Sequence, residues 1–112
     1  MADTKNATAR RGAFRFRVSD SLAVPLRGHL LRLRLVDGSP SMKELSPGRT
    51  LTIVSPAADE RTVTIIGHSA TGGRATQSRL DTTRELDVVI SGQDAGEGRA
   101  LIGIGWFAVP GH

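Results

Sequence analysis

The sequence predicts a single all-β domain, folded as a small closed barrel of about six or seven strands. Apolar and polar residues alternate with a period of two in several short stretches, and no stretch carries the 3.6-residue period of an amphipathic helix. Turn-forming residues separate these stretches, and the 112-residue chain contains 13 Gly and 5 Pro. Residues 1–12 are polar and basic, so we expect a disordered arm, followed by the barrel domain over residues 13–112.

The first two predicted strands begin at Phe14 and His29. Aromatic and apolar residues alternate with arginine from Phe14 to Val18, which is typical of a half-buried strand, and the polar residues 19–21 are expected to end it. Between His29 and Val36, leucines take one face and arginines the other if side chains alternate at 180°. A helix would mix the two residue types on each face, so the pattern favours a strand.

Later strands follow from the same alternation, at Leu51–Ile53, Val63–Ile65 and Leu86–Ile90. The segment 69–84 has a weaker pattern, in which residues 75–79 form either a short strand or a loop. The last run, residues 101–109, is almost entirely apolar and interrupted by glycine, so we expect it to be buried on both sides or packed closely by a neighbouring segment. Trp106 and Phe107 are adjacent and must face opposite ways. One should fill the core, and the other is either covered by the arm or exposed as an interaction anchor.

Composition argues against several classes of function. The chain has no Cys, which excludes disulfides, thiol catalysis and thiolate metal sites. His29, His68 and His112 are far apart and lack a metal-ligand spacing, and no serine has a recognisable His/Asp set. No apolar run matches a signal peptide or a membrane span. We therefore expect a cytoplasmic, non-enzymatic protein without cofactor or metal and without a membrane partner.

The positive charge is concentrated at the start of the chain. Residues 1–17 contain five basic residues and one acid, and the formal net charge of the whole chain is +4, so the remainder is neutral. Such an arm suits an anionic partner, although a solvated terminus has the same composition.

Arginines of the first two strands should share one outer face if those strands pair antiparallel. Like charges opposite each other destabilise a sheet, so such a cluster suggests an anionic ligand, most simply a nucleic-acid backbone. The candidate nucleic-acid-binding residues are Arg11, Arg15, Arg17, Arg32 and Arg34. Alternatively, Asp37, Glu85 and Asp87 interleave with them to give a mixed, solvated face. Because Phe14 and Phe16 face inward and there is no Tyr, no platform for base stacking is evident.

A series of turn and core residues follows a familiar order along the chain. In the run DSLAVPLRGHLLRLRLVDG the landmarks are Asp20, Leu22, Val24, Pro25, Arg27, Gly28, Arg34 and Gly38. The run LSPGRTLTIVSP supplies Leu45, Gly48, Leu51, Ile53 and Val54, and Val63–Ile66 and Ala108–Gly111 come later. By this order and spacing, residues 13–111 resemble domain 2 of translational GTPases of the elongation factor Tu type, here as a stand-alone domain.

The resemblance implies a β-barrel that binds RNA, because in that family the domain helps to hold the aminoacyl end of tRNA or contacts ribosomal RNA. The chain has no G-x-x-x-x-G-K-[ST] phosphate loop, so it is not expected to be a GTPase of that kind. Residues 69–84 depart from the family pattern, and no pocket residue is carried over. We therefore expect a non-catalytic binding module that engages RNA or a ribosome-associated protein.

Two alternatives remain open at this point. One is a protein–protein module or homodimer that uses the last strand and an exposed aromatic residue. The other is a cyclic di-guanylate sensor resembling PilZ domains, suggested by the Arg11-x-x-x-Arg15 spacing and by Asp37-Gly38-Ser39. In the second motif, Met42 stands where PilZ domains have glycine.

Overall fold

The computed structural model describes residues 14–68, 75–96 and 100–111, and in these ranges the protein is mostly β. Its strands are β1 (Phe14–Val24), β2 (Gly28–Gly38), β3 (Thr50–Val54), β4 (Glu60–Thr64), β5 (Gly67–His68), β6 (Glu85–Ile90) and β7 (Phe107–Pro110). They form one seven-stranded antiparallel sheet in the order β4-β3-β7-β1-β2-β6-β5. A 3-10 helix (Met42–Leu45) and two short helices, α1 (Gln77–Thr83) and α2 (Gly92–Ala95), complete these ranges. The all-β prediction is confirmed, whereas the predicted arm, residues 1–12, lies outside the described residues.

The long hairpin formed by β1 and β2 contains the clearest predicted strands. The inward faces predicted for both strands are confirmed, because the alternate apolar residues and His29 are buried while the arginines are exposed. The prediction that residues 19–21 end the first strand is wrong. The ladder changes register between Val18 and Asp20, so an extra residue is absorbed as a bulge and pairing continues to Val24.

Two glycines adopt the positive φ expected of them, one at the start of β2 and one in a turn. Gly28 has φ +126°, and a Cβ there would collide with the carbonyl oxygen of Ile90, so no larger residue fits. Gly48 has φ +94° and follows Pro47 in a turn closed by the 3.0 Å bond from the Arg49 amide to the Ser46 carbonyl. Proline at the second position and a glycine of positive φ at the third make residues 46–49 a type II turn, as predicted for Gly48.

The core lies on one face of the sheet. Its largest fully buried side chains come from β1, β2, β3 and β6 and from the segments between strands: Phe16, Leu31, Leu33, Leu45, Leu51, Ile53, Ile65, Leu80, Ile90 and Ile102. Full burial of each such side chain is worth about 1.5–3 kcal/mol, so this cluster fixes the register of the strands that supply it.

Helix α1 occupies a segment for which a short strand or loop was predicted. It begins after Thr76, whose side-chain oxygen accepts a 3.1 Å hydrogen bond from the amide of Arg79, and it ends at Arg84 in the left-handed region. Within it only Leu80 is buried. One buried residue in about two turns leaves no helical period in the sequence, which explains why the helix was missed.

The expectation of two-sided burial over residues 101–109 is also wrong. Only Phe107–Pro110 form a strand there, and Leu101 and Ile104 are 62% and 63% exposed. Gly105 has φ +94°, which turns the chain just before β7, and Ile102 is the fully buried residue that this loop gives to the core. The glycines therefore form a loop in a segment whose apolar composition is typical of a buried strand.

The two end strands of the sheet, β4 and β5, are consecutive in the chain. Ile65 and Ile66 connect them, and each makes backbone hydrogen bonds to a different neighbour. The amide of Ile65 donates to Arg49 at 2.9 Å, next to β3, whereas the amide of Ile66 donates to Val89 of β6 at 2.8 Å. Residues 65 and 66 thus make backbone hydrogen bonds to both halves of the sheet.

Thr52 is 4% exposed, and its hydroxyl has no hydrogen-bond partner among the residues that the structure describes. A buried hydroxyl without a partner costs free energy, so Thr52→Val should raise the free energy of unfolding by about 1 kcal/mol in a urea titration. Thr62 lies directly opposite on β4 and is exposed, which makes Thr62→Val a matched control with an expected change within about 0.5 kcal/mol. A Thr52→Val protein less stable than wild type would contradict this account.

Candidate nucleic-acid interface

The four arginines of β1 and β2 share the face opposite the core, as predicted. Arg17 pairs directly with Arg34, Arg32 pairs with Asp20, and Arg15 pairs with Asp37. All four arginines are exposed. We call this surface the arginine face: Arg15, Arg17, Arg32 and Arg34. Arg11, the fifth predicted residue, lies outside the described residues.

Carboxylates lie among these arginines. Arg32 binds Asp87 through two hydrogen bonds, of 2.9 and 3.1 Å, which raise the pKa of its guanidinium above the ordinary value. Arg34 meets Glu85 at 3.3 Å on the same neighbouring strand, β6. These are the interleaved acids of the alternative interpretation. They make the β6 side of the arginine face nearly neutral.

The β7 side of the arginine face is different. Arg15 pairs with Asp37 at 3.3 Å, but Arg17 makes no ion pair with any residue that the structure describes. The guanidinium end of Arg17 lies beside Gly105, which has no side chain of its own. Arg17 is therefore the cation of this face that remains available to an anion, and its role in binding stays a prediction.

Phe107 places an aromatic ring on the arginine face, where the sequence pattern of β1 and β2 indicated none. It pairs directly with Arg17 and with Val54, so its side chain lies on the outer surface and is only partly buried. The guanidinium carbon of Arg15 lies 4.8 Å from the centre of the ring. The adjacency of Trp106 and Phe107 was the only sequence signal, because it required one of the two to face outward.

Trp106 lies on the other side of the backbone and only partly fills the core. It packs against the core cluster, and the guanidinium of Arg61 lies 5.2 Å from its ring centre. Arg61 also donates to the carbonyl oxygens of Ala95 and Ala100, at 3.2 and 2.8 Å. The fully buried residue of β7 is Ala108, so Trp106 meets only in part the expectation that one of the two aromatic residues fills the core.

A serine and a histidine meet where the hairpin contacts the loop before β7. The hydroxyl of Ser21 donates to the carbonyl oxygen of Ile102 at 2.6 Å. Because a hydroxyl has one hydrogen, the 2.7 Å contact with His29 requires the Nε2–H of His29 to donate to Ser21. A serine nucleophile needs the opposite direction, so this arrangement ties the loop to the hairpin rather than activating the hydroxyl.

The PilZ-like alternative stays a hypothesis, because Arg11 lies outside the described residues. Arg15 and Asp37 do meet, as an ion pair, and Met42 begins the 3-10 helix. A cavity of about 410 Å³ opens nearby, but neither Arg15 nor Asp37 lines it. Its charged groups are Arg49 and Glu44, and the carboxylate of Glu44 already accepts hydrogen bonds from Ser41.

Comparison with protein-family models, with curated proteins and with solved structures finds no match. Within the described ranges, no three His, Cys, Asp or Glu side chains come together as a metal site would require. Those ranges also contain no helix of the length and apolarity that crossing a membrane takes. Function must therefore be argued from the geometry of this face.

Burial lowers the pKa of His29, so folding stability should depend on pH through this residue. The unfolded chain takes up the proton first as the pH falls below about 6.5, and the stabilisation present above that pH is then lost. Urea titrations between about pH 5 and 7 should show this decline in wild type and a weaker one in His29→Gln. His68→Gln, the control at the other described histidine, should retain it. An unchanged decline in His29→Gln would contradict the assignment.

Proposed function

We propose that this chain is a non-catalytic binding module that engages RNA, alone or in an RNA–protein particle, through the β7 side of the arginine face. The observation that carries the proposal is the group formed by Arg15, Arg17 and Phe107. It combines two guanidinium groups with an aromatic ring on the open surface of a sheet. Guanidinium groups bind phosphates, and rings stack with bases, so the group suits a nucleic acid better than a simple anion.

The ion pairs on this face do not prevent binding. The side chains of Arg15 and Asp37 are 46% and 68% exposed, and exposed pairs contribute only about 0.2–1 kcal/mol each. A polyanion also gains free energy by releasing its counterions, which such weak pairs cannot offset. A phosphate backbone can therefore exchange with the carboxylate partner of Arg15, while Arg17 needs no exchange.

The proposal also includes the closed barrel and the likeness to translation factor domain 2. The supporting observation is that two consecutive amides, those of Ile65 and Ile66, donate to opposite halves of the sheet: one to Arg49 beside β3 and the other to Val89 of β6. A continuous bent strand through Glu60–His68 would then join β3 to β6 and leave no free edge. A closed cylinder would hold the arginine face rigid, which lowers the entropy lost on binding.

Arg15 and Arg17 should contribute most of the salt-dependent affinity for RNA. Fluorescence anisotropy with a labelled single-stranded RNA should show at least about tenfold weaker binding by the Arg15→Ala/Arg17→Ala double variant at low salt. The plot of log association constant against log salt should become shallower, its negative slope losing roughly 1.4 in magnitude, because each single-strand phosphate contact contributes about 0.7.

A matched control removes the same charge from elsewhere on the surface. Arg49 and Arg79 are exposed residues outside β1, β2 and β7, and their double alanine variant should keep nearly the wild-type slope. Equal losses in both double variants would mean that only net charge matters. No RNA binding by the wild-type protein would overturn the proposed function.

Closure of the barrel can be measured by amide hydrogen exchange. If β4 and β5 are parts of one bent strand, the amides of Ile65 and Ile66 should exchange about as slowly as those at the centre of β2. The amide of Ala58, bonded to Ser55 within a loop, is the reference for a locally opening site. Exchange of Ile66 as fast as that of Ala58 would show that the two ends of the sheet are open.

A further inference from the structure

The three phenylalanines of the chain differ in environment. Phe14 and Phe16 are buried in the core with their ring centres 5.5 Å apart, whereas Phe107 lies on the outer face of the sheet. An aromatic residue on an outer face is usually covered by an apolar neighbour. Here the group over the ring is the planar guanidinium of Arg15, at 4.8 Å from its centre.

Two weak contacts hold the Arg15 guanidinium over that ring. One is the contact with Phe107 itself, and the other is the 3.3 Å ion pair with Asp37 at the end of β2. Both charged side chains are about half exposed or more, so water screens the pair and the guanidinium can leave at low cost. The ring face is thus occupied by a flat group that is easily displaced.

We infer that the outer face of Phe107 binds an unpaired base of single-stranded RNA, and that Arg15, held by Asp37, covers this ring until the base displaces it. The inference rests on the proposed function and adds the class of RNA and the control of the site. A guanidinium and a nucleobase are both planar and stack on aromatic rings at similar separations, so a ring that accepts one accepts the other.

Displacement gives Arg15 a new partner. A base stacked on Phe107 brings its own phosphate next to β1, where the freed guanidinium and Arg17 offer positive charge. Asp37 competes with that phosphate for Arg15, since both are anions within reach of the same side chain. Duplex RNA cannot use the site in this way, because its base faces are stacked inside the helix.

The first test compares single-stranded uridine-rich RNA with a duplex of equal length by fluorescence anisotropy. Wild type should prefer the single strand. Phe107→Leu keeps an apolar side chain but loses the ring, and it should bind the single strand roughly tenfold more weakly. Phe107→Tyr should restore binding. Thermal unfolding of both variants checks that the fold is retained.

Nuclear magnetic resonance adds a readout that a structural role would not affect. A stacked base shifts the ring protons of the residue beneath it, so those of Phe107 should move upfield on titration with the same RNA. Phe14 and Phe16 serve as internal references, because they are buried and should not shift. Shifts at all three rings, or at none, would contradict a base on Phe107.

The second test concerns Asp37. Releasing Arg15 by Asp37→Asn should strengthen single-strand binding roughly two- to fivefold, in proportion to an exposed ion pair. Asp81→Asn removes the same charge from α1, where Asp81 accepts a bond from Gln77 of the same helix, and it should have little effect. Equal gains in both variants, or a loss in Asp37→Asn, would overturn the role of Asp37.

The outcomes separate this inference from the proposed function. The base site is wrong, and the RNA-binding face stands, if three results occur together. The Arg15/Arg17 double variant loses RNA binding, Phe107→Leu binds single-stranded RNA as well as wild type does, and wild type binds duplex RNA as well as single-stranded RNA. If wild type binds no RNA, both fail.

Discussion

The antiparallel pairing of β1 with β2 is the constraint on which the rest of this structure depends. Because side chains alternate across a strand, this one ladder places an apolar stripe against the core and a row of arginines on the opposite face. A slip of one residue would bury guanidinium groups without partners, at a cost that no available contact repays. The core and the candidate interface are therefore two consequences of one register.

The outer surface shows how modest interactions divide a charged face into two halves of different charge balance. On the β6 side, each arginine meets a carboxylate on the adjacent strand, and the pairs satisfy one another. On the β7 side the neighbouring strand offers Phe107 instead of an acid, so Arg17 keeps its charge available and Arg15 reaches across the ring. The difference lies in what the flanking strand presents, since the arginines themselves are alike.

Several local features have physical causes that residue patterns do not encode. The bulge after Val18 lets β1 continue through polar residues, whose side chains then bond nearby groups: Ser19 reaches the carbonyl of Arg32, and Asp20 accepts from Ser21. Leu26 adopts φ +66° at the tip of the hairpin and is fully exposed, a conformation that is costly for a leucine. The strands on either side impose that turn, because they are held by their inward-facing apolar residues.

The alternating residues by themselves determined the strands at 14–18, 29–36, 51–53, 63–64 and 86–90 and their inward faces, and the glycines at 28 and 48 marked positions of positive φ. These features depend on the two-residue period of a strand and on the steric freedom of glycine, which are local properties. Helix α1, the loop before β7, the carboxylate partners and the position of Phe107 were decided by tertiary structure. Each depends on which distant segment lies alongside, and the packing of the whole sheet sets that choice.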